Sequence, residues 1–303
     1  MPKVRECAGY YATVHIGDPW IHEPLWAEAV KRLDGELLED LSNIEELCRE
    51  IPLRIVGQIL LDPPASLPRA GAFLPTMPSD DVQQLWTGNS DVALLEQSVE
   101  FIKTVIEAAA LQEMSPRDIR VLDFGIGWGR LARLWLKYGG PDQLDGCDAW
   151  AESLEKAREC GLRNRLVQSD ALLRELPFEE SSYDIIWAFS VFTHLGPQAM
   201  GDTLIGLRRM LTPRGTVVFT VRPHSYWDLP EPQRLLETAT DDRLFRSDDV
   251  TFFQHRPEDP HYGDISVSAS FLHQACRNAG LEVVSMAWST VDLYQISVIA
   301  RRV

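Results

Sequence analysis

Positive charge is scarce in this chain: 29 lysines and arginines stand against 45 aspartates and glutamates, a formal net charge of −16 over 303 residues. Proteins that bind nucleic acid carry a basic footprint, so no nucleic-acid partner is expected. Long apolar runs are missing too, since nothing approaches the roughly 18 consecutive apolar residues of a membrane span. The opening Met1-Pro2-Lys3-Val4-Arg5-Glu6-Cys7 lacks the apolar core of a signal peptide. No membrane partner is expected, and the expected location is the cytoplasm. The five cysteines, Cys7, Cys48, Cys147, Cys160 and Cys276, include no Cys-x-x-Cys pair, which argues against a disulfide framework and a cysteine-built zinc site. Neither an internal repeat nor a low-complexity tract is present.

What the chain does have is an apolar content of 45%, enough for a full core in one large domain or two small ones. From about residue 118, strand-like and helix-like stretches alternate, the pattern of a mostly parallel sheet covered on both faces. Strands are expected at 120–124, 143–148, 165–169, 183–189 and 215–221, and helices at 129–138, 151–160, 197–211 and 268–279. Two further strands, 281–288 and 293–300, are joined by only Ser289-Thr290-Val291-Asp292. So short a connection permits an antiparallel hairpin and excludes a crossover. Ahead of the sheet, residues 91–111 place Val92, Leu95, Val99, Ile102 and Ile106 at helical spacing. Residues 24–49 read as an acidic helix with a stripe of Leu33, Leu37, Leu41, Ile44 and Leu47. The expected organisation is an appendage over 1–85, serving as a lid or as a homodimer contact, followed by a domain over 86–303 with an insertion at 222–265. A loop as long as that insertion is expected to carry short elements and a function of its own.

The most informative segment is Val121-Leu122-Asp123-Phe124-Gly125-Ile126-Gly127-Trp128-Gly129-Arg130, a strand breaking into glycines before a helix. Glycines there let backbone N–H groups approach a ligand, and the free amides of the helix's first turn favour an anionic group. The dinucleotide fingerprint is Gly-x-Gly-x-x-Gly. Here Arg130 occupies its third glycine position.

In its order of motifs, the chain from about Trp86 onward resembles the class I S-adenosylmethionine-dependent methyltransferases of small molecules. The resemblance implies a Rossmann-like, doubly wound α/β fold with a seven-stranded, mostly parallel sheet closed by the hairpin. It implies S-adenosylmethionine as cofactor and a hydroxyl or amine of a small molecule as acceptor. By resemblance Asp123 faces the methionine ammonium, with Phe124, Gly125, Ile126 and Gly127 along the amino-acid end. Asp148, followed by Ala149, meets the ribose, and Asp170, Ala171 and Leu172 meet the adenine. Both Asp148 and Asp170 also have a helix-cap reading. Ser190 and Val191, in Ser190-Val191-Phe192-Thr193-His194-Leu195, pass beneath the sulfonium.

Methyl transfer is an in-line displacement in which a base helps when the acceptor is a hydroxyl. His194 is the candidate base, at the sheet edge where ligands of such folds bind; its other reading is a loop-packing residue. Candidate acceptor contacts are Trp86, ahead of the long helix, and His224, Tyr226, His255, His261 and Tyr262 in the insertion. His255 and His261 with Glu258 or Asp259 match no helix-based ligand spacing, so no metal is expected. Two other functions fit parts of the pattern: an NAD(P)-dependent oxidoreductase or epimerase on a similar sheet, and a scaffold that binds the cofactor without turnover.

Overall fold

The computed structural model describes residues 24–61, 67–240 and 243–303; Cys7 and the start of the appendage lie outside them. Helices α1 (Pro24–Glu36), α2 (Ile44–Cys48), α3 (Leu53–Leu61), α4 (Asp80–Thr87) and α5 (Asp91–Leu111) come first. Then follow β1 (Val121–Phe124), α6 (Arg130–Trp135), β2 (Leu144–Asp148), α7 (Ala151–Glu159), β3 (Arg165–Gln168), β4 (Tyr183–Ala188), α8 (Pro197–Met210) and β5 (Leu211–Val221). The remainder comprises α9 (Pro230–Thr238), β6 (Leu244–Arg246), β7 (Val250–Arg256), β8 (Asp259–Val267), α10 (Ala269–Asn278), β9 (Leu281–Trp288) and β10 (Ile296–Arg302). Among the described residues no helix is long and apolar enough to cross a membrane.

The main sheet has seven strands in the order β3-β2-β1-β4-β5-β10-β9. Neighbours from β3 to β5 pair parallel, and β10 runs antiparallel to both β5 and β9. The terminal hairpin thus inserts its second strand between β5 and the edge strand β9.

Strand residues alternate between the two faces, and here both faces are covered. Val121, Ile185 and Trp187 point into the core shared with the N-terminal helices. Leu122, Ile186 and Ala188 point into the other, shared with Leu204 of α8 and Leu272 of α10. Two buried faces explain why β1 and β4 are apolar on both sides apart from Asp123 and Asp184.

The stripe Leu33, Leu37, Leu41, Ile44 and Leu47 is buried in the same core as Val121. It is not carried by one helix: the chain turns at Leu41, whose φ is +62°, and α1 and α2 are separate. Residues 212–215 form no turn between α8 and the next strand. They lie within β5, where a register shift between Tyr183 and Ile185 of the paired β4 absorbs them. Helix α6 is shorter than the expected 129–138.

The insertion folds as a three-stranded antiparallel sheet, β6-β7-β8, with a 3-10 turn at His224–Asp228 ahead of α9. It is stitched to the loop after β4. Gly196 N–H donates to His261 O (2.8 Å), Gly263 N–H to His194 O (2.9 Å) and Ile265 N–H to Thr193 O (3.1 Å).

Candidate functional site

The glycine loop turns over the C-terminal end of β1. Gly125 has φ +77°, and a side chain there would run into Val191, so the loop after β4 closes onto the glycine loop only because Gly125 has none. Gly127, at φ +56°, would point a side chain into open space. Asp148 tethers this turn from the end of β2: one carboxylate oxygen accepts Gly127 N–H at 3.0 Å and the other accepts Trp150 N–H at 2.9 Å. Trp150, not Asp148, is the N-cap residue of α7.

Asp123 is buried in β1 and its carboxyl is pushed up to about 8. Burial is the main cause and the nearby Asp148 adds to it, while Trp187 and Arg130 act the other way. Trp187 Nε1 makes no hydrogen bond of sound geometry, so its contribution is that of a nearby dipole. Arg130 is held between Gln97, whose Oε1 accepts from its Nη1 at 2.6 Å, and the Phe189 ring 4.5 Å beneath. Gln97 donates in turn to Asp292 at the hairpin tip (2.7 Å). A charged side chain in place of the third glycine therefore ties α5 and the hairpin to the glycine loop.

Asp170 is exposed at the turn after β3, and its side chain accepts Arg174 N–H at 2.8 Å. Ala171 is exposed and Leu172 buried. Ser190 adopts φ +60°, its N–H donating to Thr220 Oγ1 at 2.8 Å, while Gln295 Nε2 donates to its hydroxyl at 3.2 Å.

His194 lies against the insertion. Its Nδ1 is 3.1 Å from Gly263 O and 3.3 Å from Asp264 Oδ1. Its ring stacks on Tyr262 with centroids 5.4 Å apart. Burial pushes the imidazole below its ordinary value, with Asp264 opposing, which favours the neutral form near pH 7. Tyr262 also meets Trp150 at 5.8 Å, so the ring beside His194 reaches the residue that follows the Asp148 turn.

Asp264 is the centre of this cluster. Arg222 pairs with it, His255 Nε2 lies 3.1 Å from its second oxygen, and only 9% of its side chain is exposed. These partners hold its carboxyl far below the ordinary carboxylate range against the cost of burial. Arg222 also stacks 4.2 Å over Tyr226.

Of the acceptor candidates, Tyr226, His255 and Tyr262 thus gather around Asp264 with His194. His224 bonds Ser266 instead, at 2.9 Å. His261 contributes its backbone carbonyl to Gly196. Trp86 stays 37% exposed on α4, and no ring contact joins it to the cluster among the described residues. The sequence reading missed Asp264 and Arg222. The available signal was the alternation in β8, where Tyr262, Asp264 and Ser266 share one face. No group of three or more histidine, cysteine or carboxylate side chains among the described residues is disposed to hold a metal ion.

Comparison with known proteins bears on the domain and the fold. A family profile described as a methyltransferase domain matches residues 121–215, from β1 into β5. The glycine/sarcosine/dimethylglycine N-methyltransferase of Actinopolyspora halophila is 28% identical over 151 residues, 45% of this chain and 25% of that protein. The sarcosine/dimethylglycine N-methyltransferase of Aphanothece halophytica is 33% identical over 109 residues, 35% of this chain and 38% of that protein. The chain thus spans well under half the length of these two relatives. In fold, it is similar to magnesium protoporphyrin IX methyltransferase from Synechocystis PCC 6803, solved with bound SAH, at a TM-score of 0.52 and 14% identity, covering 74% of this chain and 94% of that one. Residues 121–215 thus match a methyltransferase domain, and the chain has the fold of a solved methyltransferase, with the strand order described above.

Proposed function

We propose that the protein transfers the methyl group of S-adenosylmethionine to a hydroxyl or amine of a small-molecule acceptor. The observation that carries this reading is the meeting, at one end of the sheet, of a glycine cradle, the buried Asp123, the half-buried Asp148 and a histidine kept neutral. The donor set suits the cofactor: Gly127 puts no side chain into the open space beside the cradle, and Asp123 is a buried carboxyl with a raised pKa, which an ammonium would stabilise in its charged form. Asp148 would hold the ribose diol, with Phe124 to Gly127 along the methionine moiety, Ala149 beside the ribose, Asp170, Ala171 and Leu172 at the adenine, and Ser190 and Val191 below the sulfur. When bound, the cofactor supplies a methyl group made electrophilic by its sulfonium. His194 receives the acceptor's proton. Tyr226, His255 and Tyr262 shape the acceptor side, with His224, His261 and Trp86 at its margins.

The named activities of the two relatives are N-methylations of glycine derivatives, which supports keeping an amine beside a hydroxyl as acceptor group. A small acceptor also accords with the net charge of −16. The function is tested by thermal unfolding with S-adenosylhomocysteine and, separately, with NAD. A ligand at about 100 times its Kd stabilises the native state by roughly 2.7 kcal/mol. Stabilisation by S-adenosylhomocysteine and none by NAD is expected, and the reverse would overturn the proposal. Transfer of labelled methyl from S-adenosylmethionine into a metabolite extract separates an enzyme from a scaffold that only binds the cofactor.

A further inference from the structure

Nδ1 of His194 faces two oxygens, the Gly263 carbonyl at 3.1 Å and the Asp264 carboxylate at 3.3 Å. Neither oxygen can donate a hydrogen bond, so an unprotonated Nδ1 would point its lone pair at two acceptors. The proton therefore sits on Nδ1. Nε2 of the neutral ring then carries the lone pair, and no hydrogen bond claims it among the described residues. The ring keeps 23% of its side-chain surface exposed.

The carboxylate that faces Nδ1 is itself fixed from three elements. Arg222, at the end of β5, pairs with Oδ1 and also donates to Thr193 O at 3.2 Å. His255 of β7 reaches Oδ2 at 3.1 Å. Gly263 of β8, the residue before Asp264, is hydrogen-bonded through its N–H to His194 O. Around the imidazole, the charged and titratable groups are Asp264 and Tyr262 of β8, Arg222 directly after β5, and His255 of β7. A histidine that merely packed in its loop would not require a buried carboxylate gripped by two further side chains.

We propose that Asp264 is the positioning residue of the reaction: gripped by Arg222 and His255, it holds His194 with its proton on Nδ1, so that Nε2 is the atom that takes the proton of an acceptor hydroxyl. This rests on His194 acting as base. The proton passes from the hydroxyl to Nε2 as the oxygen gains the methyl group and the donor's sulfur keeps the pair of the broken S–C bond. Positive charge lost at the sulfonium reappears on the imidazolium, beside Asp264, where a fixed anion stabilises it. Exchange with solvent then removes the proton and restores the neutral ring.

Long-range 1H–15N NMR on the full-length 15N-labelled protein reads this directly. The His194 signals are identified by their loss in His194→Gln. In the wild type at pH 7.5 the expected spectrum shows Nδ1 protonated and Nε2 unprotonated. In Asp264→Asn, which keeps the shape and loses the charge, proton binding by His194 is expected to weaken at least about tenfold, the equivalent of one pKa unit. S-adenosylhomocysteine affinity should stay within about twofold, because Asp264 touches none of the residues assigned to the donor. A wild-type proton on Nε2, or His194 titration equal in wild type and Asp264→Asn, would overturn the assignment. Should Asp264→Asn fail to fold, the wild-type tautomer decides alone. Absence of S-adenosylhomocysteine binding would strike the methyltransferase proposal instead, leaving the tautomer result to stand by itself.

Discussion

Tyr262 lies nearly parallel to His194, their planes 20° apart and their centroids separated by 5.4 Å. Tyr262 covers one face of the imidazole while Gly263 and Asp264 meet its Nδ1 edge, so ring orientation depends on the insertion hairpin. For His194→Ala we expect turnover, measured as methyl transfer into a metabolite extract, to fall by about 100-fold or more, the scale of a lost general base. S-adenosylhomocysteine affinity by calorimetry should change little. Equal rates in mutant and wild type would remove His194 as base.

Asp148 offers a second, separable test. Its two oxygens hold Gly127 and Trp150 N–H groups, so Asp148→Ala removes an acid from the cradle and loosens the loop beside it. The expectation is at least about tenfold weaker S-adenosylhomocysteine binding, about 1.4 kcal/mol, with a native fold by circular dichroism. Unchanged affinity would contradict the ribose assignment.

Asp123 makes stability depend on pH. Its folded pKa of about 8 lies above the ordinary carboxyl value, so between the two the folded state binds more protons than the unfolded one. Stability from this group is present at low pH and is lost as pH rises toward 8. In the ligand-free protein, Asp123→Asn should raise the Tm at pH 8 relative to wild type, and the gain should shrink at pH 6. The same variant should weaken S-adenosylhomocysteine binding. A Tm difference that does not vary with pH would count against a protonated Asp123.

The glycine loop, its two acids and the sheet order were legible in the sequence because each is a local pattern: apolar runs, a glycine cluster, an acid at a strand end. Asp264 and Arg222 were not, since 42 residues separate them and it takes the pairing of 193–196 with 261–265 to bring Asp264 to His194 and Arg222. Periodicity likewise found the stripe from Leu33 to Leu47 without revealing the turn at Leu41. There a positive φ at a leucine is imposed by packing rather than by propensity.

That stripe yields a prediction on stability. Leu37 is fully buried in the core that also contains Val121 and Ile185. Leu37→Ala should cost about 2–5 kcal/mol in urea unfolding, with a single transition reporting both the N-terminal helices and the sheet. Two separate transitions would show that these helices unfold independently.

The three backbone hydrogen bonds linking 193–196 to 261–265 make the loop after β4 and the β7–β8 hairpin one mechanical part. Transplanting a hairpin from another enzyme would therefore disturb His194, the proposed base, unless the graft kept residues 261–265. Variation at the tip between β7 and β8, around Pro257 and Glu258, leaves the seam whole and is the place to begin.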